Sequence, residues 1–132
     1  ITGNRATAGA GLTARTNSTT MTLTRVTISG NTATAGSGGG VFLGNLASAA
    51  LTNVTISGNA AVGAGAGLYM NDFGTVTLTH VTVTNNRADS GGAGFANPGG
   101  GLFTAFESAP AFVLTNTIVA GNVTGTGGTP SD

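Results

Sequence analysis

The stretch TLTRVTISGN at residues 22–31 returns as ALTNVTISGN at 50–59, TLTHVTVTNN at 77–86 and VLTNTIVAGN at 113–122. Its leucine recurs as Leu23, Leu51, Leu78 and Leu114, at spacings of 28, 27 and 36 residues. Its closing asparagine, Asn31, Asn59, Asn86 and Asn122, keeps the same spacings. The Ile/Val-x-x-Asn end of the motif also opens the chain, so repeats start at Ile1, Ile28, Ile56, Val83 and Val119. Between the copies lies a third block, Gly11-Leu12, Gly40-Val41-Phe42, Gly67-Leu68-Tyr69 and Gly101-Leu102-Phe103. A period of this size marks an array in which each unit buries its apolar face only against its neighbours.

Within every unit the three runs alternate apolar and polar residues and are rich in Thr, Val, Ile and Leu, the period-two pattern of strands. Helix is disfavoured, because Gly, Thr and Asn are poor helix formers and no window carries an i, i+3, i+4 stripe. Like residues at like positions are what a solenoid needs, since each coil stacks about 4.8 Å above its equivalent and pairs backbone with it. The expected fold is therefore all-β: a right-handed parallel β-helix with three short strands per coil and about 4.5 coils of 27 to 36 residues. It occupies residues 1–124, with a Gly/Thr/Pro-rich tail at 125–132.

Alternation assigns the faces. Leu23/Leu51/Leu78/Leu114, Met21/Ala49/Val76/Phe112, Val26/Val54/Val81, Ile28/Ile56/Val83/Val119 and Leu12/Val41/Leu68/Leu102 point inward, and Thr22, Thr24, Thr52, Thr77, Thr79 and Thr115 outward. Leu and Val in the LTNV run both face inward although three residues apart, so the chain must bend at Arg25, Asn53, His80 and Asn116. Asn and His tolerate left-handed backbone better than most residues. A second corner is expected at the structural column Asn4, Asn31, Asn59, Asn86 and Asn122, whose amides can hydrogen-bond from coil to coil. The fourth coil is enlarged by a loop at residues 87–100, with Asp89, Phe95 and Asn97 as a candidate contact loop. Ile118 breaks the pattern, standing on the outer side where the other coils carry Thr27, Thr55 and Thr82.

Composition narrows the function. Four Arg, no Lys and four acidic residues cancel to zero net charge, so the basic stripe a nucleic-acid binder needs is missing. No apolar run reaches the roughly 18 residues of a membrane span, and no membrane insertion is expected. Without Cys there is no disulfide framework. A Lys-free, Thr/Asn/Gly-rich surface suits the outside of a bacterial cell, and Ile1 in place of Met suggests a segment processed or excised from a longer polypeptide. Neither end shows a helix or charged cap, so both are expected to expose unpaired strand edges and to favour end-to-end association with further copies.

Chemistry has few places to sit. Asp72, Asp89, Glu107 and Asp132 fall in different registers, none inside a strand motif, so neither paired acid/base work nor a Ca²⁺ cage is indicated. His80 is the single His and shares a corner column with Arg25, Asn53 and Asn116, which marks it as a corner residue rather than a ligand. The glycines at 36–40 lack the Lys-Ser/Thr of a phosphate loop. No catalytic residue, metal or cofactor is expected. Two surface features remain. Phe42, Tyr69 and Phe103 form an outward aromatic column suited to glycans, to a host or cell-surface protein, or to cover by the enlarged loop. A Thr-x-Thr ladder, interrupted at Ala50 and Val113, is similar to the ice-facing surface of antifreeze solenoids. Asn17-Ser-Thr, Asn53-Val-Thr and Asn122-Val-Thr match the glycan acceptor pattern, expected by chance in such a composition.

The pairing of Ile/Val-x-x-Asn with a Gly-Gly-small-aliphatic run resembles the repeats of bacterial polymorphic outer membrane proteins, whose hallmark alternates Phe-x-x-Asn with Gly-Gly-Ala-aliphatic. Residues 38–41, 65–68, 91–94 and 99–102 approximate the second element, and Ile or Val replaces Phe in the first. The chain is also similar to secreted bacterial right-handed β-helix proteins in general. Both resemblances imply a secreted or surface-displayed structural, adhesive or fibre-like role.

Overall fold

The structure, a computed structural model, describes residues 1–15, 20–45, 47–71, 74–94, 98–105 and 112–132. Its strands stack into columns, each pairing with the equivalent strand one coil away. One sheet contains β2 (Leu12–Ala14), β6 (Val41–Leu43), β10 (Leu68–Met70) and β14 (Leu102–Thr104). The next contains β3 (Thr20–Thr24), β7 (Ser48–Thr52), β11 (Val76–Thr79) and β15 (Phe112–Thr115). A third contains β4 (Thr27–Ser29), β8 (Thr55–Ser57), β12 (Thr82–Thr84) and β16 (Ile118–Ala120). All pairing within these three sheets is parallel, and the register sets Leu23 on Leu51, Leu51 on Leu78 and Leu78 on Leu114. The three runs per coil are thus three sheets of a parallel solenoid.

A fourth row, too short to stand out in the sequence, follows each motif asparagine: β1 (Arg5–Ala6), β5 (Thr32–Ala33), β9 (Ala60–Ala61), β13 (Arg87–Ala88) and β17 (Val123–Thr124). Its inner positions Ala33, Ala61 and Ala88 pack with Ala66 into a separate small cluster. In the middle coils alanine fills the inward positions of this row, and Thr124 follows Ala88 in the last.

The main core is the set of inward columns read from alternation. Ile28, Val41, Leu51, Ile56, Leu68, Val76, Leu78 and Val83 are almost wholly buried. Burying each such side chain contributes roughly 1.5–3 kcal/mol. Members at the first and last coils, Leu12, Met21, Leu23, Phe112 and Val119, pack on this core while staying partly open, and Leu114 is 46% exposed.

The corners arise from left-handed backbone. Arg25, Asn53, His80 and Asn116 take φ of 55°, 54°, 53° and 48°, as the bend between Leu and Val demands. The second corner differs from the sequence expectation. Its left-handed residue is the one before each motif asparagine: Gly3, Gly30, Gly58, Asn85 and Gly121, with φ between 55° and 70°. Relieved of the turn, the amides of Asn31, Asn59, Asn86 and Asn122 point inward and are buried. Each backbone N–H and side-chain Nδ2 donates to Oδ1 of the next asparagine, from Asn4 through Asn122, at 2.8–3.0 Å. Nδ2 of Asn59 also donates to the Ile28 carbonyl at 3.0 Å, and those of Asn86 and Asn122 donate to the Ile56 and Val83 carbonyls. Among the described residues no buried side-chain polar atom lacks a partner. A buried amide left unpaired would cost about 1–3 kcal/mol, so the ladder is what lets a polar column run through the interior.

The C-terminal end carries a cap, contrary to the expectation of a bare edge. β18 (Thr129–Pro130) turns back and pairs antiparallel with β17, and Asp132 Oδ1 accepts from Asn122 N at 2.7 Å and Asn122 Nδ2 at 2.9 Å. The tail at 125–132 is therefore part of the fold. A charged residue ends the amide ladder, a role invisible in the sequence because the returning strand breaks the repeat.

Candidate functional site

The outer face of the β2–β6–β10–β14 sheet carries a column of aromatic side chains. Alternation turns the middle residue of each strand outward, giving Thr13, Phe42, Tyr69 and Phe103 in register. The three rings are half-buried and stacked along the solenoid axis: Phe42 and Tyr69 have centroids 5.1 Å apart at 25°, Tyr69 and Phe103 5.5 Å apart at 10°. Where the first coil has Thr13 instead of a ring, the Arg15 guanidinium covers Phe42, with Cζ 4.5 Å from the ring centroid. Offset stacking adds roughly 0.5–1.5 kcal/mol per pair beyond area burial, and an exposed cation over a ring about 0.5–1 kcal/mol.

This orientation limits what the column can bind. Both faces of Tyr69 are taken by its neighbours and both faces of Phe42 by Tyr69 and Arg15, so these two rings turn edges outward. A pyranose that stacks on an aromatic needs a face. Tyr69 Oη donates to Asn71 Oδ1 at 2.9 Å, and burial raises its phenol above the ordinary value of 10, with a hydrogen bond from Ser37 acting the other way. Phe103, at the end of the stack, borders a cavity of about 730 Å³ that is also lined by Leu102, Phe112, Pro98, Pro130 and Asp89.

Asp89 belongs to the enlarged loop but does not reach outward. It is 7% exposed, has φ of 49°, and its carboxylate accepts the Gly94 N–H at 3.2 and 3.3 Å. It fixes the turn of its own loop. Phe95 and Asn97 of the candidate contact loop, together with Asp72, Glu107 and Asn17, lie outside the described residues. Of the remaining sequons, Asn53 stands exposed at its corner, whereas Asn122 is buried in the ladder. His80 is an exposed corner residue, its Nε2 3.1 Å from Asn116 Nδ2. No group of three or more His, Cys, Asp or Glu gathers among the described residues.

The hydroxyl face is continuous in one column and broken in another. Thr24, Thr52, Thr79 and Thr115 stack without a gap, while Thr22, Ala50, Thr77 and Val113 alternate hydroxyl with methyl groups. Ile118 extends the Thr27–Thr55–Thr82 column outward and is 60% exposed; nothing in the structure explains an aliphatic there. No helix among the described residues is long and apolar enough to cross a membrane.

Comparison with known proteins matches residues 1–129 to a family model described as the right handed beta helix region. No curated protein and no solved structure matches the chain.

Proposed function

Since the chain belongs to the family of right handed beta helix regions, we propose that it is an extracellular structural or adhesive module, a rigid segment of a bacterial surface or secreted protein rather than an enzyme. One observation carries this reading: among the described residues, the ladder amides, the ring faces of Phe42 and Tyr69 and the carboxylates of Asp89 and Asp132 are engaged within the fold. Asparagine amides donate to the next coil, two of the three rings present their faces to other side chains, and Asp89 and Asp132 accept from backbone N–H groups of their own chain. What faces solvent is mostly Thr, Ser and small residues with no net charge, a surface suited to display and spacing. The broken Thr22–Ala50–Thr77–Val113 column weighs against ice binding, which needs a regular hydroxyl grid. The test is antibody labelling of intact source cells, together with incubation of the purified chain with a panel of plant and microbial polysaccharides. Labelling without permeabilisation and unaltered polysaccharides are expected. Label that requires permeabilisation, or release of oligosaccharides, would overturn the reading.

A further inference from the structure

The aromatic column stops one place short of the repeat. Thr13 stands in register with Phe42, as Phe42 does with Tyr69 and Tyr69 with Phe103. Four residues before each of these positions lies a glycine in left-handed backbone: Gly9, Gly38, Gly65 and Gly99, with φ of 60°, 70°, 57° and 46°. Position 13 thus shares the backbone of the three ring positions and carries a small, exposed side chain in place of a ring. Beside it the Arg15 guanidinium lies on Phe42, with Cζ 4.5 Å from the centroid, close to the 5.1 and 5.5 Å that separate the rings above. A flat group already occupies the place where a fourth ring would stack. Arg15 is exposed, and among the described residues no carboxylate pairs with it. An exposed cation over a ring is weakly held, so the guanidinium can swing aside at little cost.

We propose that the place between Thr13 and Phe42, side chains of successive coils, docks an aromatic side chain flanked by carboxylates on an acidic peptide segment of a partner protein. The incoming ring stacks on Phe42 and extends the column by one. The displaced Arg15 guanidinium pairs with a neighbouring carboxylate through its planar fork. Charge favours that partner: residues 1–71 contain Arg5, Arg15 and Arg25 and no Asp or Glu, since all four acidic residues lie at 72–132. An aromatic ring suits the place better than a pyranose. The column already stacks flat rings at this spacing, and Thr13 Oγ1 donates its proton to the Gly9 carbonyl at 3.0 Å instead of offering it to a sugar hydroxyl. The proposal rests on the adhesive reading above and names what the module adheres to.

The protein has no Trp, so a tryptophan peptide reports its own binding. The 132-residue chain is titrated into acetyl-Glu-Glu-Trp-Glu-Glu-amide in about 0.15 M salt, where distant surface charges are screened. A saturable blue shift of the tryptophan emission is expected, and none with the lysine counterpart of the peptide. The same peptide with Phe in place of Trp is expected to displace it, and the peptide with Leu is not. Arg15→Gln and Phe42→Leu, each shown to be folded by circular dichroism, are expected to weaken binding about tenfold by loss of the fork or of the ring face. Arg25→Gln, at the corner between β3 and β4, is expected to leave it unchanged. No saturable shift up to about 1 mM protein, the weak end of specific recognition, overturns the proposal. So do a folded Phe42→Leu that binds like the wild type, equal losses from Arg15→Gln and Arg25→Gln, or displacement by polygalacturonate and not by the Phe peptide. Cell-surface labelling tests the structural reading separately, so either can fail without the other.

Discussion

A Cβ placed on Gly67 would meet the Gly101 carbonyl oxygen at 2.5 Å and Asn86 Nδ2 at 3.1 Å. Gly40 stands in the same relation to the Gly67 carbonyl oxygen and to Asn59 Nδ2, at 2.5 and 3.1 Å. The two sequence motifs, distant along the chain, are therefore halves of one arrangement. The buried amide needs a neighbour without a side chain, and the glycine carbonyl closes the space on the other side.

Gly67→Ala is accordingly expected to destabilise the fold by roughly 1–3 kcal/mol through overpacking, since the nearest opposing atom is backbone and the others, Val83 Cγ1 and Asn86 Nδ2, belong to buried side chains. Gly127→Ala, where an added Cβ meets nothing within 4 Å, is expected to change stability by no more than about 1 kcal/mol. Urea unfolding of both variants checks the contrast.

Asn59→Ala removes the acceptor of Asn31 N and Nδ2 and the donor to the Ile28 carbonyl, all buried. Leaving such groups unpaired costs about 1–3 kcal/mol each, so a loss of several kcal/mol is expected. Asn53, exposed with φ of 54°, has no such duty, and Asn53→Gly is expected to be neutral or mildly stabilising. The same unfolding assay separates the two asparagine columns.

Leu51 is 1% exposed and Leu114 46% exposed, although both occupy the same column. Leu51→Ala is expected to cost about 2–5 kcal/mol and Leu114→Ala well under half of that. Equal losses would show that the last coil is covered in solution.

Burial raises the Tyr69 phenol above its ordinary value, so the neutral form is favoured in the folded state. Its contribution is fully present below pH 10 and is lost as pH rises through the folded-state value. The melting temperature is expected to fall on going above pH 10, and Tyr69→Phe, which keeps the ring stack, to reduce that fall. Thermal scans from pH 8 to pH 11.5 measure it.

Much of this architecture is legible without coordinates because stacking forces like residues to recur. Leu23, Leu51 and Leu78 announce their column by spacing alone, and the Leu-to-Val parity break locates the corner at Arg25, Asn53, His80 and Asn116. The second corner is misplaced by one residue, since Asn is as plausible in left-handed backbone as the Gly that precedes it, and only the inward amide decides. The alanine row is missed because two residues are too few to show alternation. The ring stack at Phe42, Tyr69 and Phe103 is readable as a column. Its orientation is not, because ring planes depend on what lies above and below, including Arg15, which sits outside the repeat. Asp132 is illegible for the opposite reason: it takes the part of a repeat residue from a strand that runs the other way.

Asn86 and Asn122 are 36 residues apart and bond at 2.8 Å, while Asn59 and Asn86 are 27 apart and bond at 2.9 Å. Circumference and pitch are thus independent quantities in this molecule: nine additional residues in one coil leave the bond between its asparagine and the next unchanged. A lineage of such proteins can elaborate any one storey with new sequence while the distance between its floors, and hence the reach of the rod, stays fixed.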